Sequence, residues 1–141
     1  MAVTQWADEA GPVEATGKWS LPVGAGVVTQ LRFDYAFTLV VEAWLEFRIE
    51  TVFSYGAAGG ERSFDPSDSA SLAPLLGLHQ AVVTVAEIGK DGRLSLTFAD
   101  GAVLAVEPND KYEAFTAVGQ LPAVPRGFRF VALPGGGLAR M

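Results

Sequence analysis

Between residues 27 and 50 the side chains alternate. In VVTQLRFDYAF, Leu31, Phe33, Tyr35 and Phe37 fall on one face, and Arg32 and Asp34 on the other. In LEFRIE, Leu45, Phe47 and Ile49 point one way while Glu46, Arg48 and Glu50 point the other. A period of two marks a strand with one face in a core and one in water, and such strands pair antiparallel. A third strand is expected between them, around TLVVE.

The second half follows the same pattern. Shifted by 57 positions, residues 34–50 lie on residues 91–107 without a gap, pairing Phe37 with Leu94, Leu39 with Leu96, Val41 with Phe98, Phe47 with Leu104 and Ile49 with Val106. Asp91-Gly92 and Asp100-Gly101 supply the positive φ of tight hairpins. Two three-stranded meanders are therefore expected. Between them, Asp65 is placed to cap a helix with Pro66 in its first turn, and Leu72, Leu75, Leu76 and His79 follow helical spacing. FRFVAL (128–133) reads as a last strand and PGGGLARM as a turn and tail. The expected fold is α+β and mainly antiparallel β: two three-stranded meanders plus a C-terminal strand, with one short helix between the halves. Residues 1–17 read as a flexible N-terminal arm and 18–141 as a single β-rich domain.

Composition removes several functions. Ten Lys and Arg against sixteen Asp and Glu give a net charge of -6, and the basic residues are scattered, so nucleic acid is not an expected partner. A charged partner is expected to be basic. The chain has no cysteine, which rules out disulfides, thiolate metal sites and cysteine nucleophiles. The N-terminal stretch has no basic and apolar leader pattern, and apolar runs are short, so a cytoplasmic protein without a membrane span is expected. Half of the residues are apolar and mean hydropathy is +0.28. With open sheet edges, that content predicts a homodimer.

Little in the chain looks like chemistry. His79 is the single histidine, so multi-histidine metal sites are absent and a capping or packing role is expected for it. Ser63 or Ser67 with His79 and Asp68 make a catalytic set on paper only, because no nucleophile-elbow motif accompanies them. Glu46, Glu50 and Asp34 with Arg48 and Arg32 read as a solvated cross-strand charge ladder. No cofactor or metal is expected.

Taken together, VVTQLRFDYAFTLVVE, LEFRIETVFSY, LAPLLGLHQAVVT, GRLSLTFADGAVLAVEPNDKYEAF and FRFVALPGGGLA resemble a family of small, mainly actinobacterial proteins of unknown function. The resemblance spans residues 21–139. Its most specific parts are FADG, the YEA segment and the closing PGGG, with Phe115 where relatives commonly carry tryptophan. It implies a single-domain, non-catalytic module. The expected function is protein binding, with a likeness in size and charge to immunity proteins of bacterial toxin systems. The alternative is a small-ligand-binding or hydrolytic domain, its pocket lying between the meanders and lined by Glu46, Glu50 and Tyr112. Tyr112, Glu113, Glu46, Arg48 and Glu50 are the candidate binding residues. Within YEAF, Tyr112 and Phe115 stand three apart and are expected to cover the open sheet end together as a latch.

Overall fold

The computed structural model describes residues 11–120 and 127–141. Thirteen strands form one antiparallel sheet: β1 (Val13–Ala15), β2 (Lys18–Leu21), β3 (Gly26–Phe33), β4 (Phe37–Val41), β5 (Leu45–Ile49), β6 (Phe53–Gly56), β7 (Arg62–Phe64), β8 (Val82–Gly89), β9 (Leu94–Phe98), β10 (Val103–Val106), β11 (Phe115–Gly119), β12 (Phe128–Ala132) and β13 (Leu138–Arg140). The hydrogen-bonded order is β13-β12-β11-β5-β4-β3-β8-β9-β10-β6-β7, with β2 on β8 and β1 on β2. The fold is mostly antiparallel β with one short helix. Among the described residues no helix is long and apolar enough to cross a membrane.

This differs from two meanders plus one strand, because each run of three strands continues into strands from the opposite half. β6 follows β5 in sequence but pairs with β10, whereas β11 follows β10 but pairs with β5. Two other expectations change in the same way. Val13–Ala15, assigned to the arm, pair with β2, while residues 1–10 lie outside the described residues. The tail after PGGG is a strand, β13 on β12.

The sheet turns over at β3. Gly26 and Val27 pair with Val83 and Val82 of β8, and from Val28 onward the strand pairs with β4. Both strands carry a bulge near this corner, between Val28 and Gln30 and between Val83 and Val85. The extra residue of a bulge bends its strand. Thr29 Oγ1 donates to the Val40 carbonyl at 3.3 Å and Thr84 Oγ1 to the Thr97 carbonyl at 3.2 Å, so each bulge holds to the strand beside it. Gly26 is at the tightest point, where a Cβ would lie 2.6 Å from Val41 Cγ1. The fold-over brings Phe37 against Phe53 (ring centroids 5.5 Å) and Trp19 against Phe130 (5.3 Å). Phe37, Leu39, Phe47, Ile49, Leu94, Leu96, Leu104 and Val106 are all buried in that core.

The middle element is a 3-10 helix, Ser69–Leu78. Leu72, Leu75 and Leu78 are buried, and their three-residue spacing sets them on one line at three residues per turn. The expected α-helical stripe included Leu76 and His79. Leu76 is instead 59% exposed and His79 lies at the exposed C-terminal end. The cap differs too. Asp68 flanks the helix and its carbonyl accepts from Ser71, while Asp65 accepts from the Ser67 N–H at 2.9 Å and the Ser67 hydroxyl at 2.7 Å in a turn ahead of it.

Those Ser67 bonds favour the charged carboxylate and hold the Asp65 carboxyl below its ordinary 3.8. A depressed folded value gives stability that is complete above the unfolded pKa and is lost as pH falls through the lowered one. An NMR titration of the Asp65 carboxyl is expected to show a midpoint below 3.8, returning toward it in Ser67→Ala.

The β4–β5 turn is strained. Glu42 and Ala43 have φ of 53° and 64°, with Trp44 N–H donating to the Val41 carbonyl, in a three-residue loop between Val41 and Leu45 built without glycine. Glu42 compensates: its Oε2 accepts from Val27 N–H at 2.7 Å, and its own N–H donates to the Val27 carbonyl at 2.9 Å. Ala43 is exposed and makes no such return. Ala43→Gly is expected to raise stability by about 1 kcal/mol, the cost of a Cβ in the left-handed region, measured by thermal unfolding.

Candidate functional site

One face of β3, β4, β5, β11 and β12 turns away from the core, and alternation decides which side chains reach it. On β5, Leu45, Phe47 and Ile49 are buried, so Glu46 and Arg48 project outward. Register then sets their neighbours. Arg48 stands between Thr38 of β4 and Thr116 of β11, and Glu46 between Val40 and Val118. Arg129 of β12 lies beyond Val118.

The charges form a ladder. Arg32 Nη2 meets Glu46 Oε1 at 2.6 Å, Arg48 Nη1 meets Asp34 Oδ1 at 3.2 Å, and Arg48 Nε lies 4.0 Å from Glu50 Oε2. Exposed pairs of this kind contribute about 0–1 kcal/mol each. Their chief effect is to fix where the side chains point.

Within the ladder lies a groove of about 270 Å³ lined by Glu46, Arg48, Glu50, Glu113, Thr116, Val118 and Arg129. Four of the five sequence candidates therefore meet in one place. Tyr112 does not: it is 66% exposed, and the groove lies on the solvent face of the sheet rather than between two meanders. The latch is likewise corrected. Phe115 is fully buried as the first residue of β11, whereas Tyr112 sits on the turn before it. Asn109 fastens that turn, accepting from Lys111 N–H (2.8 Å) and Tyr112 N–H (3.1 Å) through Oδ1 and donating from Nδ2 to Thr51 Oγ1 (2.9 Å). The PGGG turn closes over it, with Gly135 N–H donating to the Asn109 carbonyl and Gly137 N–H to the Asp91 carbonyl.

Thr116, Val118 and Arg129 were missed in the sequence. FTAVG alternates weakly, and only the long-range pairing of β11 with β5 reveals its role. Thr116 is 8% exposed, lines the groove, and has no side-chain hydrogen bond among the described residues. Thr38, on the other side of Arg48, is 1% exposed with its hydroxyl unbonded. A buried hydroxyl without a partner, as at Thr38, is uncommon and calls for an explanation.

Of the paper catalytic set, the Ser67 hydroxyl donates to Asp65, and Ser63 lies on β7 opposite Ser54. Among the described residues no cluster of three His, Cys, Asp or Glu could hold a metal ion.

A mainly antiparallel sheet with a charge-laddered outer face and a polar groove defines the class. The chain belongs to DUF6188, a family of unknown function whose model matches residues 19–141. No curated protein and no solved structure matches it.

Burial separates the two aromatic residues by energy. Phe115→Ala is expected to cost about 3–5 kcal/mol, as large buried rings do, and Tyr112→Ala less than about 0.5 kcal/mol. Urea unfolding of both variants measures the difference.

Proposed function

We propose that the chain is a non-catalytic protein-binding module whose recognition surface is the groove-bearing face of β3, β4, β5, β11 and β12. The observation that carries this reading is the convergence of Glu46, Glu50 and Glu113, from two separated segments, on one solvent-facing groove. Glu50 and Arg48 are partly satisfied by each other, while Glu113 and Arg129, both lining the groove, have no ion-pair partner among the described residues. A partner that offers a basic side chain to Glu113 and an acidic or carbonyl group to Arg129 suits the groove. The net charge of -6 steers such a partner from a distance. Size and charge suit a role like that of toxin-neutralising immunity proteins, with the cysteine-free chain acting in a reducing bacterial cytoplasm.

A second reading is a small-ligand or hydrolytic site. The Thr116 hydroxyl supports it, because it lines the groove and can bond a polar group of a ligand. The first reading is stronger because the ladder is held on a broad sheet face, the form of a protein interface rather than of an enclosing ligand pocket.

The adjacent gene's product, if basic, is the partner to try. Titration calorimetry is expected to give an affinity that falls with salt and drops at least tenfold in Glu50→Gln/Glu113→Gln. Unchanged affinity in that double variant overturns the assignment of the face.

A further inference from the structure

A cavity of about 200 Å³ opens beside the end of the 3-10 helix, where Leu78, Ala81, Val82 and Phe98 make an apolar wall. Backbone hydrogen bonds hold its rim. Ala81 N–H donates to the Leu78 carbonyl at 3.0 Å, which closes the turn after the helix, and Ala99 N–H donates to the Val82 carbonyl at 2.9 Å, which ties β8 to the β9–β10 hairpin. The cavity is thus formed before any ligand enters, as small-molecule sites usually are. It shares no residue with the groove of the outer face.

Two side chains bring polarity to this wall, Tyr55 and Asp100. Tyr55 stands opposite the buried Leu104 of β10, so its ring takes the core side of β6. There it meets Phe98 edge to face, centroids 5.7 Å apart. The ring is half-buried, and its hydroxyl makes no hydrogen bond among the described residues. Burial, and after it the charge of Asp100, hold the phenol above its ordinary 10.0, so it keeps its proton at neutral pH. Asp100 accepts from Ala102 N–H through Oδ1 at 2.9 Å and has no cationic partner among the described residues. Arg62, opposite Tyr55 on β7, lies over the Phe64 ring instead, 5.4 Å from its centroid.

We propose that this cavity binds a small aromatic amine, its ring against the apolar wall and its ammonium group between the Asp100 carboxylate and the Tyr55 hydroxyl. Volume sets the size. A cavity of about 150 Å³ takes a benzene ring, so about 200 Å³ takes one ring with a short chain. The aromatic pair sets the shape, because a third ring packs on Tyr55 and Phe98 in the same tilted way. Charge sets the head group. Asp100 repels a carboxylate, and a hydrocarbon leaves both polar groups without a bond. An ammonium donates a charge-assisted hydrogen bond to Asp100 and another to the Tyr55 oxygen, and it is attracted to the ring beneath it.

Phenethylamine, its neutral counterpart phenethyl alcohol and the anionic hydrocinnamate are the probes, each titrated into the isotope-labelled full chain and followed by backbone amide shifts. Phenethylamine is expected to shift the amides of Leu78, Ala81 and Phe98 saturably at about millimolar concentration, the range for ligands this small. Its Kd is expected to lie at least about threefold below that of the alcohol, the contribution of a solvent-accessible charge pair, with the gap narrowing at high salt. Hydrocinnamate is expected to bind weakest. Asp100→Asn keeps the hairpin, since Asn-Gly suits such a turn as well as Asp-Gly and the amide oxygen still accepts from Ala102 N–H. In that variant the amine and the alcohol are expected to bind equally. No saturable shift at those three amides with phenethylamine overturns the proposal. So does equal affinity for amine and alcohol in the wild-type chain, or a gap that survives Asp100→Asn.

Discussion

Everything in this structure depends on the crossing of β3 and β8. Two backbone pairs, Gly26 with Val83 and Val27 with Val82, join what would otherwise be separate layers. The join is possible because both strands bulge there and because Gly26 has no Cβ to strike Val41. Without the fold-over, Phe37 could not meet Phe53, nor Trp19 meet Phe130. Glu42 then ties the corner to the β4–β5 turn through both N–H and carbonyl of Val27. The strain at Glu42 is compensated by those bonds, which is how residues persist in sparsely populated backbone regions.

Much of the sheet was legible in the sequence, for a plain reason. β5, β9 and β10 each bury one face, so their residues alternate and the period of two shows. β4 shows no period, because all five of its residues are buried, including Thr38 and Val40 on the outer face, and TLVVE is read as a strand from its place between two alternating strands. Its turn hides because Glu42-Ala43 is not a turn dipeptide, although both residues adopt positive φ. The helix was found but with the wrong period, since Leu72, Leu75 and Leu78 follow three residues rather than 3.6. β6 and β11 are short and gain their place from β10 and β5, partners far along the chain, which local pattern cannot supply.

The groove divides along the same line. Glu46, Arg48 and Glu50 are read from alternation on a single strand. Thr116 and Arg129 depend on β11 lying beside β5 and β12 beside β11, so they emerge only with topology. Tyr112 illustrates the opposite error: spacing suggested a helical turn, but Asn109 imposes its own turn by binding the N–H groups of Lys111 and Tyr112. The ring is left in solvent and Phe115 alone enters the core.

The exchange of β6 and β11 between the halves bears on how the chain is made. As synthesis proceeds from the N-terminus, β6 emerges long before β10, and β5 waits for β11. Pairings between such distant segments carry a large loop-closure cost before they return any stabilisation, which slows folding. Until the last third of the chain is available, β5 presents an unpaired apolar-faced edge, the kind of surface that draws nascent chains into aggregation or chaperone hands. Neither half supplies the second partner of β5 or the β10 neighbour of β6, so those pairings close only when both halves are present.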